Sequence, residues 1–225
     1  MATVKPLRHR RNREGLHGRD LTAKQQPSLR APQRLPGDDI IPEATWRLDR
    51  DITIGVPPTD VWPWLVQMGH GRAGFYTYRV IEDAPGALRT LIGRAPPTVR
   101  WILPGCQHLE PGDLIADAPG GRITWTVEVA DPPHALVFST VRRLLTQQMV
   151  DPADPPDATW YEASWAFVLR PLDGSGTRLR VRWRSRHTFK YPALERLTLA
   201  VLGCVDELMH RKQLRTIKRL AEGGS

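Results

Sequence analysis

The side chains able to do chemistry in this chain are few, and they are scattered. Tyr76 and Tyr78 stand two apart just after a glycine-punctuated turn, with Glu82 following, and His187 closes a strand-like segment. A phenol donates a hydrogen bond or a proton, and an imidazole or carboxylate accepts one. His187 with Tyr76 or Glu82 could therefore form an acid–base pair for proton transfer. Each residue also has a plainer reading: core or surface packing for the tyrosines, an ion pair with Arg72 for Glu82, and a structural role for an isolated histidine. Trp125, Trp165 and Trp183 fall on the same face of three alternating segments. With Trp101 and Met209 they suit the wall of a site for an apolar or ring-containing ligand, and equally well the filling of a core.

Other chemistries lack their residues. His70, His108, His134 and His210 show no His-x-x-x-His or His/Cys grouping, and Cys106 and Cys204 lie far apart; no metal site is expected. There is no GxSxG, no phosphate-binding glycine loop, and the Gly69–Gly74 run (GHGRAG) follows a helix-like segment rather than a strand, so no nucleotide or other cofactor is expected. No run of eighteen apolar residues occurs, and no apolar stretch follows the basic N-terminus. The expectation is a reduced, cytoplasmic protein.

The chain has 225 residues and a net charge of +8. Residues 1–37 hold nine Lys/Arg against two acids and so carry +7 of it. The rest is nearly neutral, so the high isoelectric point is no evidence that the folded part binds nucleic acid, and no specific nucleic-acid partner is expected. Residues 1–39 read as a disordered basic tail: their apolar residues are too sparse to offset the entropy of ordering. The Arg8–Arg13 run (RHRRNR) suits at most weak contact with anionic surfaces. Residues 40–225 read as one domain.

The elements that must position the candidate residues follow from periodicity. Ala44 to Ile54 alternates as a strand, with Trp46, Leu48, Ile52 and Ile54 on one face and Arg50 interrupting it. A helix capped by Thr59 or Asp60 runs to about Met68, Gly69 ends it, and a second short helix is expected over Phe75 to Glu82. After a proline-rich connection the pattern becomes all-β: Asp113 to Ala116, Arg122 to Val129, Ala135 to Thr140, and a hairpin of Tyr161 to Arg170 with Thr177 to His187. In the last strand Leu179, Val181, Trp183, Ser185 and His187 share one face, and Arg178, Arg180, Arg182, Arg184 and Arg186 share the other. The arginine side is expected to face solvent, partly paired with Glu128 or Glu162, and the Trp183 side the interior. A helix from Pro192 to about Glu222 carries an apolar stripe at Leu194, Leu197, Val201, Val205, Leu208 and Met209. The expected fold is α+β: a curved antiparallel sheet wrapped around this long helix, with a cavity between them.

Specific stretches sharpen this. The segment IxIGVPPTDVWPWLVQMGHGRAGFYTY, with LEPGDLI, PPHALVF, SWAFVLRPLDGSGTRLRVRWR and MHRKQLRTIKRLAE further on, resembles a bacterial, largely actinobacterial branch of the helix-grip superfamily that includes START domains, the major birch-pollen allergen and polyketide cyclase-like (SRPBCC) proteins. The resemblance covers roughly residues 44–222. It implies the helix-grip fold and a small hydrophobic ligand held in an internal cavity, by a carrier or sequestering protein or, alternatively, by a cyclase or dehydratase-like enzyme. His70 and Arg79 depart from the branch, where Gln and Asp are common, which places any ligand preference peculiar to this chain there.

Overall fold

The computed structural model describes residues 33–77, 99–118, 120–151, 153–156, 158–190 and 195–223. The basic segment to residue 32, Tyr78, Arg79 and Glu82 lie outside the described residues. Residues 34–225 make one compact unit.

Six antiparallel strands form one sheet: β1 (Trp46–Ile54), β2 (Leu114–Ala116), β3 (Thr124–Asp131), β4 (Ala135–Arg143), β5 (Trp160–Pro171) and β6 (Thr177–Thr188). Their order across the sheet is β1-β6-β5-β4-β3-β2. The hairpin β5–β6 pairs Trp165 with Trp183 and Tyr161 with His187, so the side chains expected to face inward do share one surface. β1 returns to the far edge of β6, setting Leu48 opposite Trp183 and Arg50 opposite Val181. A bulge between Val127 and Val129 breaks the alternation of β3. Trp125 and Val127 point inward as expected, but Val129 pairs with Val137 on the outer face and Ala130 takes the inward place.

Helix α1 (Pro58–Val66) begins one turn earlier than its hydroxyl and carboxyl residues suggest. Pro57 is its N-cap, without a side-chain hydrogen bond, and Pro58 occupies the first turn, where the missing N–H costs nothing. Its Trp62, Trp64, Leu65 and Val66 are buried. Of the second expected helix only Phe75 to Thr77 is described. Those residues are not helical, and Tyr76 has φ +62°. At Gly69 (φ +131°) a Cβ would lie 2.6 Å from the Ile115 side chain, so that turn admits only glycine.

Helix α2 (Glu195–Gly223) crosses the inner face of the sheet. Its C-terminal half buries Leu214, Ile217, Leu220 and Ala221 in the main core. In its N-terminal half two residues of the stripe expected from spacing, Val201 and Leu208, turn away from the sheet and are more than half exposed. Gly203 faces it instead, against the Trp46 ring, with Glu207, His210 and Gln213 in succession.

The outer face of the sheet is not bare. Residues 35–43 lie across it, with Leu35 and Ile41 buried and Gly37 (φ +86°) so close to β4 that a Cβ would meet Val137 at 2.6 Å. The arginine row that alternation assigns to solvent is the anchor of this strap. Arg182 is 2% exposed. It grips Asp49 through two hydrogen bonds of 2.7 and 3.1 Å and Asp38 through one of 2.6 Å. Arg184 donates to the Ile41 and Pro42 carbonyls, and Arg186 pairs with Glu43 and Glu162. Burial alone raises the Asp49 carboxyl pKa, but the hydrogen bonds from Arg182 and Arg47 outweigh it and hold the group below the usual carboxylate range. Alternation assigns this face to solvent only while acids are absent: Asp38 and Asp49 cover Arg182 and Arg184, Asp51, Glu43 and Glu162 pair with the more exposed Arg180 and Arg186, and Arg178 stays exposed.

Candidate functional site

The inner face of the sheet brings Trp125, Trp165 and Trp183 together. Their ring centroids are 5.5 to 5.8 Å apart, at the tilted and edge-on angles aromatic quadrupoles prefer. Phe138 and Phe167 extend the cluster along β4 and β5. Phe75, from the turn after α1, stacks on Trp165 at 5.9 Å. From above, α2 contributes His210, whose ring stands edge-on to Trp165 (5.6 Å) and Trp183 (6.0 Å).

His210 is the residue the sequence reading missed. Sequence spacing considers it only as a metal ligand and gives it no partner. In the fold it is 4% exposed. Its Nδ1 lies 2.7 Å from the Asp206 carbonyl. A carbonyl only accepts, so Nδ1 carries the proton and Nε2 holds a lone pair. Burial depresses the pKa to about 4, with the Arg50 guanidinium adding to the effect against the backbone hydrogen bond. The ring is therefore neutral at physiological pH.

Nε2 of His210 has no hydrogen-bond partner among the described residues, and neither do the indole Nε1–H groups of Trp125 and Trp165 or Oε1 of Gln213, all fully buried atoms. The Gln213 amide is fixed from its other end, where Nε2 donates to the Phe75 carbonyl at 2.8 Å. Native interiors rarely leave buried polar atoms unpaired, because each costs about 1–3 kcal/mol. Here two donors and two acceptors go unpaired within one aromatic neighbourhood.

A second group lies towards the N-terminal end of α2. His187 is stacked between Tyr161 (5.6 Å) and Phe189 (6.0 Å). Burial lowers its pKa to about 4, and its Nδ1 is buried without a partner among the described residues. The Tyr161 hydroxyl is bonded to Gln147 at 3.1 Å, and burial pushes its pKa up to about 12. Asp206 acts electrostatically on Tyr161, and burial raises its own carboxyl to about 6. Beside Tyr161 in the sheet, the buried guanidinium of Arg142 lies 4.7 Å over the Trp125 ring. Arg142 is fully engaged: with Asp117, with Thr140 Oγ1 at 2.7 Å and with the Thr124 carbonyl at 3.0 Å.

The remaining expected site residues sit elsewhere. The Tyr76 phenol is 1% exposed. It donates to the Trp64 carbonyl and accepts from Gln67, both at 3.0 Å, and burial raises its pKa. Gln67, also buried, accepts from the Leu103 amide at 2.9 Å and donates to the Trp101 carbonyl. With Arg72, which donates to the Cys106 carbonyl at 2.8 Å, it ties residues 101–106 to α1. The Trp101 ring itself is 64% exposed and outside the aromatic cluster. Met209 is half-buried on α2. The His70 amide donates to the Ala116 carbonyl at 2.7 Å. Among the described residues no three His, Cys, Asp or Glu side chains gather as a metal site, and no helix is long and apolar enough to cross a membrane. An open groove of about 420 Å³, lined by Arg215, Lys218, Arg219, Glu222 and Gly223, lies at the C-terminal end of α2.

No family model matches the chain, and no curated protein matches it by sequence. Solved structures resemble it at low identity. The hypothetical protein jhp0584 from Helicobacter pylori is 12% identical, over 87% of this chain and 99% of that one, with a TM-score of 0.45. The Polyketide_cyc-like protein Cgl2372 from Corynebacterium glutamicum is 17% identical over 78% and 91%, with a TM-score of 0.34. CalU16 from Micromonospora echinospora is 13% identical over 79% and 66%, with a TM-score of 0.36. The assignment of an α+β, helix-grip architecture rests on the sheet order and the placement of α2 in this chain.

Proposed function

We propose that this protein binds a small, largely apolar molecule between the inner face of its sheet and α2, as a carrier or sequestering protein. One observation carries the reading: Trp125 Nε1, Trp165 Nε1, His210 Nε2 and Gln213 Oε1 are buried and unpartnered among the described residues, within one aromatic neighbourhood. Apolar walls with a few convergent polar groups are the usual composition of a ligand site. The atoms define the complement: rings to lie against indoles, an acceptor such as a carbonyl for the indole N–H groups, and a hydroxyl to donate to His210.

Catalysis of the cyclase or dehydratase type is the second reading. Two groups favour it, the unpartnered His187 Nδ1 and the Asp206 carboxyl, whose raised pKa suits proton transfer near neutrality. Tyr76 does not favour it, because both hydrogen bonds of its hydroxyl are spent on the protein.

The test is a titration with 1-pyrenebutanol, an apolar ring system with one hydroxyl, read by energy transfer from tryptophan. Saturable one-to-one binding, weakened about tenfold in His210→Phe, supports the site. Absence of saturation, or equal binding by His210→Phe, rejects it. Recovery of an incubated ligand chemically unchanged favours the carrier over the enzyme.

A further inference from the structure

Arg50 is the one residue of β1 whose side chain breaks the apolar inner row, between Leu48 and Ile52. It does not turn outward. It pairs with Glu207 of α2 and donates through Nη1 to its neighbour's carbonyl, Asp49 O, at 2.7 Å. Glu207 has a second partner: Arg211, one turn on, donates to its other oxygen at 2.5 Å. Arg50 sits two register pairs from Trp183, on the same face, and close enough to His210 to depress its basicity. The pair is thus at the rim of the aromatic interior, with about a third of the arginine and a fifth of the glutamate side chain still exposed.

From this we propose that Arg50 is a carboxylate receptor, and that the molecule bound at the aromatic site is an apolar carboxylic acid whose carboxylate replaces that of Glu207 on Arg50. The inference rests on the proposed function above and names the ligand class.

Three features carry it. The position already accepts a carboxylate, since Glu207 supplies one. The planar guanidinium fork matches that geometry, and a single guanidinium balances a single negative charge. The exchange is inexpensive. A mostly buried ion pair adds little net stability, and Glu207 stays paired with Arg211 when it releases Arg50, so no charge is stranded. Finally, an apolar side chain at position 50 would complete the inner row of β1 and pack better than a half-buried arginine. Ion pairs replaced by well-packed apolar residues are often neutral or more stable. A ligand lying against Trp165 and Trp183 would reach Arg50 with its acid group and leave Nε2 of His210 free for a hydroxyl.

The experiment compares 1-pyrenebutyrate with 1-pyrenebutanol, which share ring and chain and differ in the charge of the head. Affinities are read by energy transfer from tryptophan in the full chain, for the wild type, Arg50→Met and Glu207→Gln. The wild type should bind the acid at least tenfold more tightly than the alcohol. Arg50→Met should abolish the preference by weakening the acid alone, leaving the alcohol as it was. Glu207→Gln removes the internal competitor and should tighten the acid three- to tenfold without moving the alcohol. Equal affinities in the wild type, a preference that survives in Arg50→Met, or an unchanged acid affinity in Glu207→Gln would each overturn the assignment while leaving the ligand site standing. If neither probe binds saturably, the proposed function itself fails, and this inference with it.

Discussion

The carboxyl of Asp206 and the imidazole of His210 lie one turn apart on the buried side of α2, and burial moves them in opposite directions. Asp206→Asn isolates the first. Its folded pKa, about 6, is above the ordinary 3.8. The native state therefore favours the protonated form, and the associated stability is fully present below pH 3.8 and lost as the pH rises through 6. Two pH units at about 1.4 kcal/mol each give an upper bound of about 3 kcal/mol; partial exposure of the residue reduces this to about 1–2 kcal/mol. Asparagine keeps the shape and removes the charge. Asp206→Asn should therefore be more stable than the wild type by about 1–2 kcal/mol at pH 7.5, and the difference should vanish by about pH 4. His210 runs the other way. Its folded pKa of about 4 is below the ordinary 6.5, so its contribution is full above pH 6.5 and lost as the pH falls towards 4, by at most about 3 kcal/mol. His187, whose pKa burial likewise lowers to about 4, adds a slope of the same sign as His210, so the wild type should lose stability on balance as the pH falls from 6.5 to 4. His210→Gln should remove one of the two histidine slopes and flatten the profile, and Asp206→Asn should steepen it. Urea denaturation at half-unit pH intervals measures all three, with unchanged m-values as the control. An Asp206→Asn advantage that is the same at pH 4.5 and 7.5, or a variant less stable than the wild type at pH 7.5, would refute the reasoning.

Further substitutions test the frame around the site. Arg142→Ala strands Asp117 and empties the space over Trp125; thermal and urea unfolding should show a loss of about 3–5 kcal/mol, and a loss below 1 kcal/mol would mean the buried guanidinium is not integral. Gly37→Ala combines φ +86° with a 2.6 Å approach to Val137. It should cost about 1–3 kcal/mol and increase amide exchange at residues 35–43, whereas wild-type exchange there would argue that the strap does not hold the sheet. Tyr76→Phe leaves the Trp64 carbonyl without its donor and should cost about 1–2 kcal/mol with no change in 1-pyrenebutanol affinity; a selective loss of binding would move Tyr76 into the ligand site.

The sheet was legible in the sequence because strand alternation is a period-two signal. β6 announces both faces, and Trp165 and Trp183 do meet across the hairpin. Three things were not. The covering of the arginine face depends on Leu35 and Ile41, too few and too isolated within a polar segment to suggest burial, and on Asp38, whose partners Arg182 and Arg184 are more than 140 residues away. The orientation of α2 could not follow from its apolar spacing, because about its middle Val201 and Leu208 lie exposed on one side while Glu207 and His210 on the other meet the sheet, and Gln213 donates to the Phe75 carbonyl. The bulge in β3 inverts Val129, and nothing in the residue order marks it. His210 went unnoticed for a related reason. A histidine among helix cations looks solvated until the fold shows that one nitrogen is tied to the Asp206 carbonyl and the other is buried without a partner.

The central claim is that ligand enters among Trp125, Trp165 and His210, and the indole protons report on it directly. A ¹⁵N–¹H spectrum of tryptophan-labelled protein, assigned by single Trp→Phe substitutions, gives each Nε1–H its own signal. On titration with 1-pyrenebutanol the Trp125 and Trp165 signals should move strongly and saturably, since aromatic ring currents and new hydrogen bonds both act there, while the exposed Trp101 signal stays in place. Shifts confined to Trp101 and other surface positions, or no saturable shift at Trp125 and Trp165, would contradict the account.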